Sequence, residues 1–276
     1  MKWFQSMIFG LISGLSDVLP VSSQAHKAIL LKIFGQNGEN PLMRLFIHIA
    51  ILAALYYSCS NHILRITRQL KLSRIPKKKR KRPLDVRTLM EFRLLRMMVI
   101  PALLGLLAYN RVAELGTKLQ ITAIFLVINA VILFLPTLLP TGNKDARSMS
   151  ALEGMLMGLG GAASVLPGIS SVGATMSVAS VCGADRVFAL NLTYLMHMVL
   201  TIALIGFDFA AIFASDIGNL TVGILVTYIL AAASAFAGAY TGIRAMRLLA
   251  VNIGYTAFAL YSIGAAMLSF VLYLMV

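Results

Sequence analysis

Six ionisable residues of this 276-residue chain lie within or against long apolar stretches: Asp17, His26, Lys27, Arg44, His48 and His197. An ionisable side chain inside a bilayer costs roughly 2.5–3.5 kcal/mol on insertion scales, so each is a functional candidate by default. Asp17 stands just before the break Leu19-Pro20-Val21-Ser22-Ser23, and His26 and Lys27 follow it. Ser22 and His26 are four residues apart, as are Ser23 and Lys27, so each pair shares a helix face. A second break, Leu166-Pro167-Gly168-Ile169-Ser170-Ser171, is followed by Gly173 and Thr175. Helix starts at two such breaks aim backbone N–H groups into one space, which suits an anion. Ser170, Ser171, Gly173 and Thr175 would add hydroxyls and close backbone approach. The chemistry that fits is an oxyanion, with phosphate the leading case. A serine at a helix start also serves as an ordinary cap, and an intramembrane histidine as a helix–helix hydrogen bond. Asp17 with His26 across a proline break is harder to reduce to either.

The elements that must hold these residues are membrane helices. Hydrophobic residues make up 59% of the chain and charged ones only 12%, about half the charge of an ordinary soluble domain. That excludes a disordered chain, a secreted disulfide scaffold and a free-standing soluble enzyme. Apolar runs over 41–63, 97–112, 121–139, 186–207, 220–239 and 250–276 read as spans, with 97–112 short of the roughly 20 residues a crossing needs. Stretches 7–34 and 152–183 are each broken at a proline, which removes a backbone donor and turns the preceding residue out of helix. Each reads as helix, tip, helix. The expected fold is an all-α polytopic membrane protein with six transmembrane helices plus two re-entrant helical hairpins. Cys59 and Cys182 have no metal-ligand spacing and read as packing residues.

Charge sets the orientation. Segment 65–96 carries 13 of the 24 Lys and Arg residues and two acids, Asp85 and Glu91, so it holds most of the net charge of +14. Positive loops face the cytoplasm. Threading outward puts 113–120 outside, 140–150 inside, 208–219 outside and 240–249 inside, with both termini outside. Loop 208–219 has Asp208 and Asp216 without a base, and 240–249 has Arg244 and Arg247 without an acid, in agreement. Residues 1–6 do not open a cleavable signal, because the apolar stretch after them contains Asp17 and Pro20. Lys32 snorkels to an interface. The run Lys77–Arg82 reads as a topology determinant and an anchor for anionic membrane lipids rather than a nucleic-acid site. Its interior is expected to be flexible, flanked by short extensions of the neighbouring helices.

The two breaks also define a repeat. Val18–Ser23 echoes Val165–Ser171 with one residue inserted, so the chain is one membrane domain with halves 1–139 and 149–276. Each half is a hairpin and three spans. An odd number of spans inverts the second half, an architecture whose sites lie near the midplane where broken helices meet. Bent backbone at that depth must be buried or line a wet cavity, so the tips are expected to face each other. His48 and His197 lie close to the repeat offset. They read either as mates whose titration between pH 5 and 8 couples protons to lipid movement, or as two unrelated packing histidines.

Gly10–His26, with Leu19-Pro20-Val21-Ser22-Ser23 at its centre, resembles the first signature of the undecaprenyl-diphosphate phosphatase (bacitracin-resistance) family, roughly G-x-x-E-G-x-x-E-x-L-P-V-S-S-T-G-H. Pro167–Thr175 resembles the second, P-G-x-S-R-S-G-A-T. The resemblance covers nearly the whole chain. It implies an outward-facing site in a bacterial-type inner membrane that removes phosphate from a polyprenyl diphosphate carrier lipid, with a divalent cation (Mg or Ca).

Departures from the family pattern alter that chemistry. Ser13 and Asp17 stand at the two glutamate positions, Ser171 at the arginine, Val172 at the following serine, and Gln24-Ala25 precede His26. Arg44 and His48 replace an acid and a glutamine, and His197 replaces a small residue. Losing a clamping arginine costs several powers of ten on the scale of arginine fingers, and losing a carboxylate weakens a metal site. Lys27 and Arg44 are candidates to restore the charge, although a lysine is a point charge and no bidentate fork. Retained hydrolysis implies Asp17 orienting or deprotonating, Ser23 or His26 attacking or relaying a proton, and Ser22, Lys27, Arg44, Ser170, Ser171, Gly173 and Thr175 binding phosphate. The alternatives are a non-hydrolytic polyprenyl-phosphate transporter and a lipid-phosphate binder. A homodimer is open to either.

Overall fold

The computed structural model describes residues 1–112, 115–116, 118–214, 220–252 and 255–275, with backbone alone at 110 and 250–252. Among these the chain is all α: α1 (Trp3–Val18), α2 (Ser23–Ile33), α3 (Pro41–Ser73), α4 (Val86–Leu106), α5 (Tyr109–Val112), α6 (Leu119–Phe134), α7 (Ala151–Ala162), α8 (Ser171–Val181), α9 (Arg186–Ala214), α10 (Val222–Asn252) and α11 (Thr256–Leu274). Local chemistry sets several boundaries. Asn40 accepts from the Leu42 amide ahead of Pro41, whose absent N–H costs nothing at a helix start. Asp85 accepts from the Thr88 amide to open α4. Ser150 and Glu153 form a reciprocal capping box on α7.

Five helices are long and apolar enough to cross a membrane: α3, α6 with its short 3-10 extension, α9, α10 and α11. The protein is therefore a polytopic membrane protein. The expected sixth span corrects to α4, which has the length, at 21 residues, but carries Arg87, Glu91, Arg93 and Arg96 in its first half. Other boundaries shift outward. Helix α10 runs through 240–249, so Arg244 and Arg247 are helical; Arg247 donates to the Ser58 carbonyl at 2.8 Å. Helix α9 continues to Ala214, which converts Asp208 from an expected loop residue into a helical one, buried at 1% exposure. Its companion Asp216 lies outside the described residues. Around the polybasic turn, α3 extends to Ser73 and α4 starts at Val86, the helical extensions into 65–96 that the sequence leads one to expect.

Packing exchanges between the halves. α1 lies on α10 as α7 lies on α4, while α3 packs on α9 and α6 on α11. Small residues make the first of these contacts possible. A Cβ added at Gly10 or Gly14 would meet the carbonyl oxygen of Ala231 or Ala235 at 2.0 Å. One added at Gly158 of α7 would meet the Met98 carbonyl of α4 at 2.1 Å. Backbones this close gain packing and weak polar contacts where water exclusion contributes little. One buried cluster runs through both halves and includes Phe9, Ile47, Met98, Leu133, Leu192 and Ile243.

Candidate functional site

The two helix breaks meet. Helix α1 ends at Val18, and its three exit carbonyls are each taken by a side chain from elsewhere. Tyr194 Oη donates to the Val18 carbonyl at 3.1 Å, Ser170 Oγ to Leu19 at 3.1 Å, and Asn129 Nδ2 to Pro20 at 3.4 Å. Asn129 also accepts from the Ser170 amide at 2.9 Å and donates to Ser262 Oγ at 3.1 Å. One amide of α6 thus fastens both tips. Ser170 in turn caps α8 by accepting from the Gly173 amide at 3.1 Å. A Cβ at Gly173 would sit 3.0 Å from Pro20 Cβ, so the second helix start abuts the first tip. Gly168 is held at φ +120°, with α6 backbone 2.8 Å from where its Cβ would be. A side chain there is excluded on both counts. Ser22 is the one described non-glycine residue with positive φ, at +62°, and its buried Oγ has no partner among the described residues. Non-glycine residues in this region store of order 1–3 kcal/mol and persist where the surroundings over-determine them.

Asn129→Ala is expected to cost about 2–3 kcal/mol, because it strands the Ser170 amide and the Pro20 carbonyl inside the protein. Thermal unfolding in detergent measures the loss. Unchanged unfolding would show that the tips hold together without it.

A cavity of about 760 Å³ opens beside the tips. Asp17 and Ser23 of the first hairpin, Ser170 and Ser171 of the second, and Lys27, Arg44, His48 and His197 line it. Four fixed cations, Lys27, Lys32, Arg44 and Lys118, and two carboxylates, Asp17 and Glu39, stand on its wall. Every carboxylate at the site has a protein cation or histidine as partner. Asp17 Oδ2 lies 2.7 Å from His197 Nε2, and Glu39 Oε1 lies 3.5 Å from Lys27 Nζ. Asp208, buried behind the wall, accepts from Arg44 Nε on one oxygen and meets His48 Nδ1 on the other, each at 2.5 Å. His48 and His197 thus come from the paired helices α3 and α9, but their partners differ: an α9 aspartate for one, an α1 aspartate for the other.

Four expected site residues stand off this wall. His26 is buried, with Nδ1 2.7 Å from the Ser22 carbonyl and Nε2 2.7 Å from Tyr261 Oη, and its ring lies parallel to that of Tyr261. A carbonyl only accepts, so Nδ1 carries the proton and Nε2 accepts from the tyrosine. Both nitrogens are committed. Ser22 and Thr175 keep buried hydroxyls, without a partner among the described residues, away from the lining, and Gly173 serves as the contact with Pro20.

The sequence does not single out Glu39, Asn129 or Tyr261 for the site, and it places Asp208 only in an outside loop. Asp208 carried a signal, since 197, 201, 204 and 208 follow helical spacing and continue the His197 face. Asn129 was a polar residue in the middle of an apolar span.

The donor set does not fit the divalent cation that the family resemblance implies. Ser13, at the position of the family's first glutamate, is fully buried, and its Oγ has no partner among the described residues. Asp17 is then the single carboxylate of the motif, and it is held by His197. Among the described residues no group of three His, Cys, Asp or Glu side chains is placed to hold a metal ion.

A polytopic membrane protein whose two broken helix pairs meet beside a cation-lined cavity is the class that fold and site define. The chain belongs to the family described as Bacitracin resistance protein BacA, which matches residues 6–268. An undecaprenyl-diphosphatase of Treponema denticola is 29% identical over 265 residues, 95% of this chain and 94% of that protein. One from Methanobrevibacter smithii is 30% identical over 207 residues, covering 72% of this chain and 73% of the relative. A third, from Carboxydothermus hydrogenoformans, is 28% identical over 198 residues, 72% and 70% of the two chains.

Proposed function

We propose that this protein removes the terminal phosphate of a polyprenyl diphosphate carrier lipid at the outer face of a plasma membrane. The observation that carries the reading is the cavity between the hairpin tips, where hydroxyls from both breaks and four fixed cations share one wall with Asp17. The names of the relatives supply the substrate, undecaprenyl diphosphate. The reaction needs positive charge near the phosphoryl oxygens as the leaving group departs. Lys27 and Arg44 are the clamp. Ser23 Oγ, which donates to the Ser13 carbonyl at 3.4 Å, turns to attack the terminal phosphorus, its proton passing to the Asp17 carboxylate on the same wall. The bridging P–O bond breaks, and its electron pair leaves with the lipid monophosphate. Water then cleaves the Ser23 phosphoester and releases inorganic phosphate. His26, off the wall, supports the α2 start and does not take the attacking role.

The membrane reading is six crossings, α4 included, with α1–α2 and α7–α8 as re-entrant hairpins. At 1.5 Å per residue, α2 and α8, of 11 residues each, reach only about half of the ~30 Å hydrocarbon core. The exchange of packing partners between halves supports an inverted repeat. Residues 36–39, Lys118 and Tyr273 also line the cavity. Arg44 and His48, at the start of α3, line the cavity, while the other end of that 33-residue helix leads into Lys77–Arg82. A basic cytoplasmic turn at one end therefore supports an outward opening at the other. The same turn would bind anionic inner-leaflet lipids.

The test is phosphate release from undecaprenyl diphosphate by the purified full-length protein in detergent. Release well above a protein-free control supports the reading. Binding of the lipid monophosphate with no release would replace it by carriage, a reading favoured by the absence of the family glutamate at Ser13 and arginine at Ser171.

A further inference from the structure

We infer that Arg44, positioned by Asp208, supplies in this chain the phosphate-clamping charge that a bound metal would otherwise provide, so that the cavity takes a phosphate headgroup without a divalent cation. This rests on the phosphate reading above. A divalent cation needs oxygen donors free to coordinate it, and here Asp17, Glu39 and Asp208 are each matched to a cation or histidine of the protein. A metal would have to compete with His197 for Asp17 and with Arg44 and His48 for Asp208, while Glu39, whose buried Oε1 has no hydrogen-bond partner among the described residues, is held only by a 3.5 Å ion pair to Lys27.

Arg44 is arranged to do the metal's work. It lies on the cavity wall and spends Nε on Asp208, while its two terminal nitrogens have no hydrogen-bond partner among the described residues. Those nitrogens are the pair that grips a phosphate in a bidentate fork. Asp208 holds the guanidinium from behind, on a carboxylate only 1% exposed, and its second oxygen is fixed by His48. The carboxylate is thus locked on both sides, and it limits the rotation of a long side chain that would otherwise lose entropy on binding. The arginine missing at Ser171 of α8 is replaced from α3, across the cavity.

The experiment measures the affinity of the full-length protein in nanodiscs for a polyprenyl monophosphate, in excess EDTA and in Mg²⁺ or Ca²⁺, alongside phosphate release from the diphosphate. The expected Kd is unchanged within about twofold by EDTA, and Arg44→Met weakens it about 30-fold, the scale of a charged hydrogen-bond pair. Arg44→Lys recovers only part of that loss. Asp208→Asn separates positioning from charge. Removing a negative charge near an anion site would by itself tighten binding, whereas loss of the anchor weakens it, and we expect weakening of several-fold with Asp208→Glu partly restoring the affinity. Binding lost in EDTA and regained with Mg²⁺ or Ca²⁺ overturns the inference and leaves the phosphate reading standing. Arg44→Met within twofold of the unsubstituted protein, or Asp208→Asn binding more tightly, also overturns it. Absence of both binding and release under every condition overturns the phosphate reading itself. The EDTA comparison needs no variant, so it decides even if a substituted protein fails to fold.

Discussion

Asp17→Asn is expected to lower phosphate release by about 10³-fold while leaving affinity for the lipid monophosphate intact or improved. Loss of a positioned general base costs 10²–10⁴-fold in rate. The substitution keeps the size of the side chain and its contact with His197 Nε2, now 2.7 Å from Asp17 Oδ2, but an amide cannot take the Ser23 proton. It also removes one of two carboxylates from the cavity wall, which eases the approach of an anion. The effect should therefore fall on kcat and spare KM. His26→Ala is the comparison. Its ring bonds the Ser22 carbonyl and stacks on Tyr261 away from the cavity, so it should lower the unfolding temperature and change the rate of the surviving folded protein less than tenfold. Equal losses of rate from the two substitutions, at equal stability, would return His26 to the reacting centre.

Gly14→Val should be the most damaging single change to the fold. The added Cβ would lie 2.0 Å from the Ala235 carbonyl oxygen, 2.8 Å from its carbon and 2.9 Å from its Cα. All three are backbone atoms of α10, so no rotamer change relieves the clash. Ordinary overpacking costs about 1–3 kcal/mol, and here α1 must lift off α10 along its length, for an expected loss of about 3 kcal/mol or more. Since α1 carries Asp17, release should fall with it. Gly264→Val in α11 is the control, because nothing lies within 4 Å of the position a Cβ would take there. Thermal unfolding in detergent compares the two. Coincident curves would mean that the α1–α10 seam yields more easily than its geometry implies.

Much of the architecture was legible because its causes are local. Pro20 and Pro167 lack an N–H and are each followed by a Ser-Ser helix start, so the chain breaks there, whereas Pro101, with no such start after it, stays inside α4. The serines that follow are spaced to start new helices, and Ser170 does cap α8. Span ends were less legible. From sequence Asp208 reads as a loop residue, because a charge seldom lies in a membrane helix unpaired. Its partners, Arg44 and His48, are 164 and 160 positions away, beyond the reach of any local pattern. The same distance hid Asn129, whose role as a clasp exists only where two tips meet.

By itself the sequence determined the membrane class, the two breaks, the polybasic segment and the motif residues, since these follow from hydropathy, backbone chemistry and short spacing. Only the tertiary structure decided which charges neutralise one another: Asp17 with His197 across 180 positions, Glu39 with Lys27, Asp208 with Arg44 and His48. In a low-dielectric interior a carboxylate's behaviour depends on the cation a few ångströms away. That neighbour is chosen by the packing of helices and not by the order of residues.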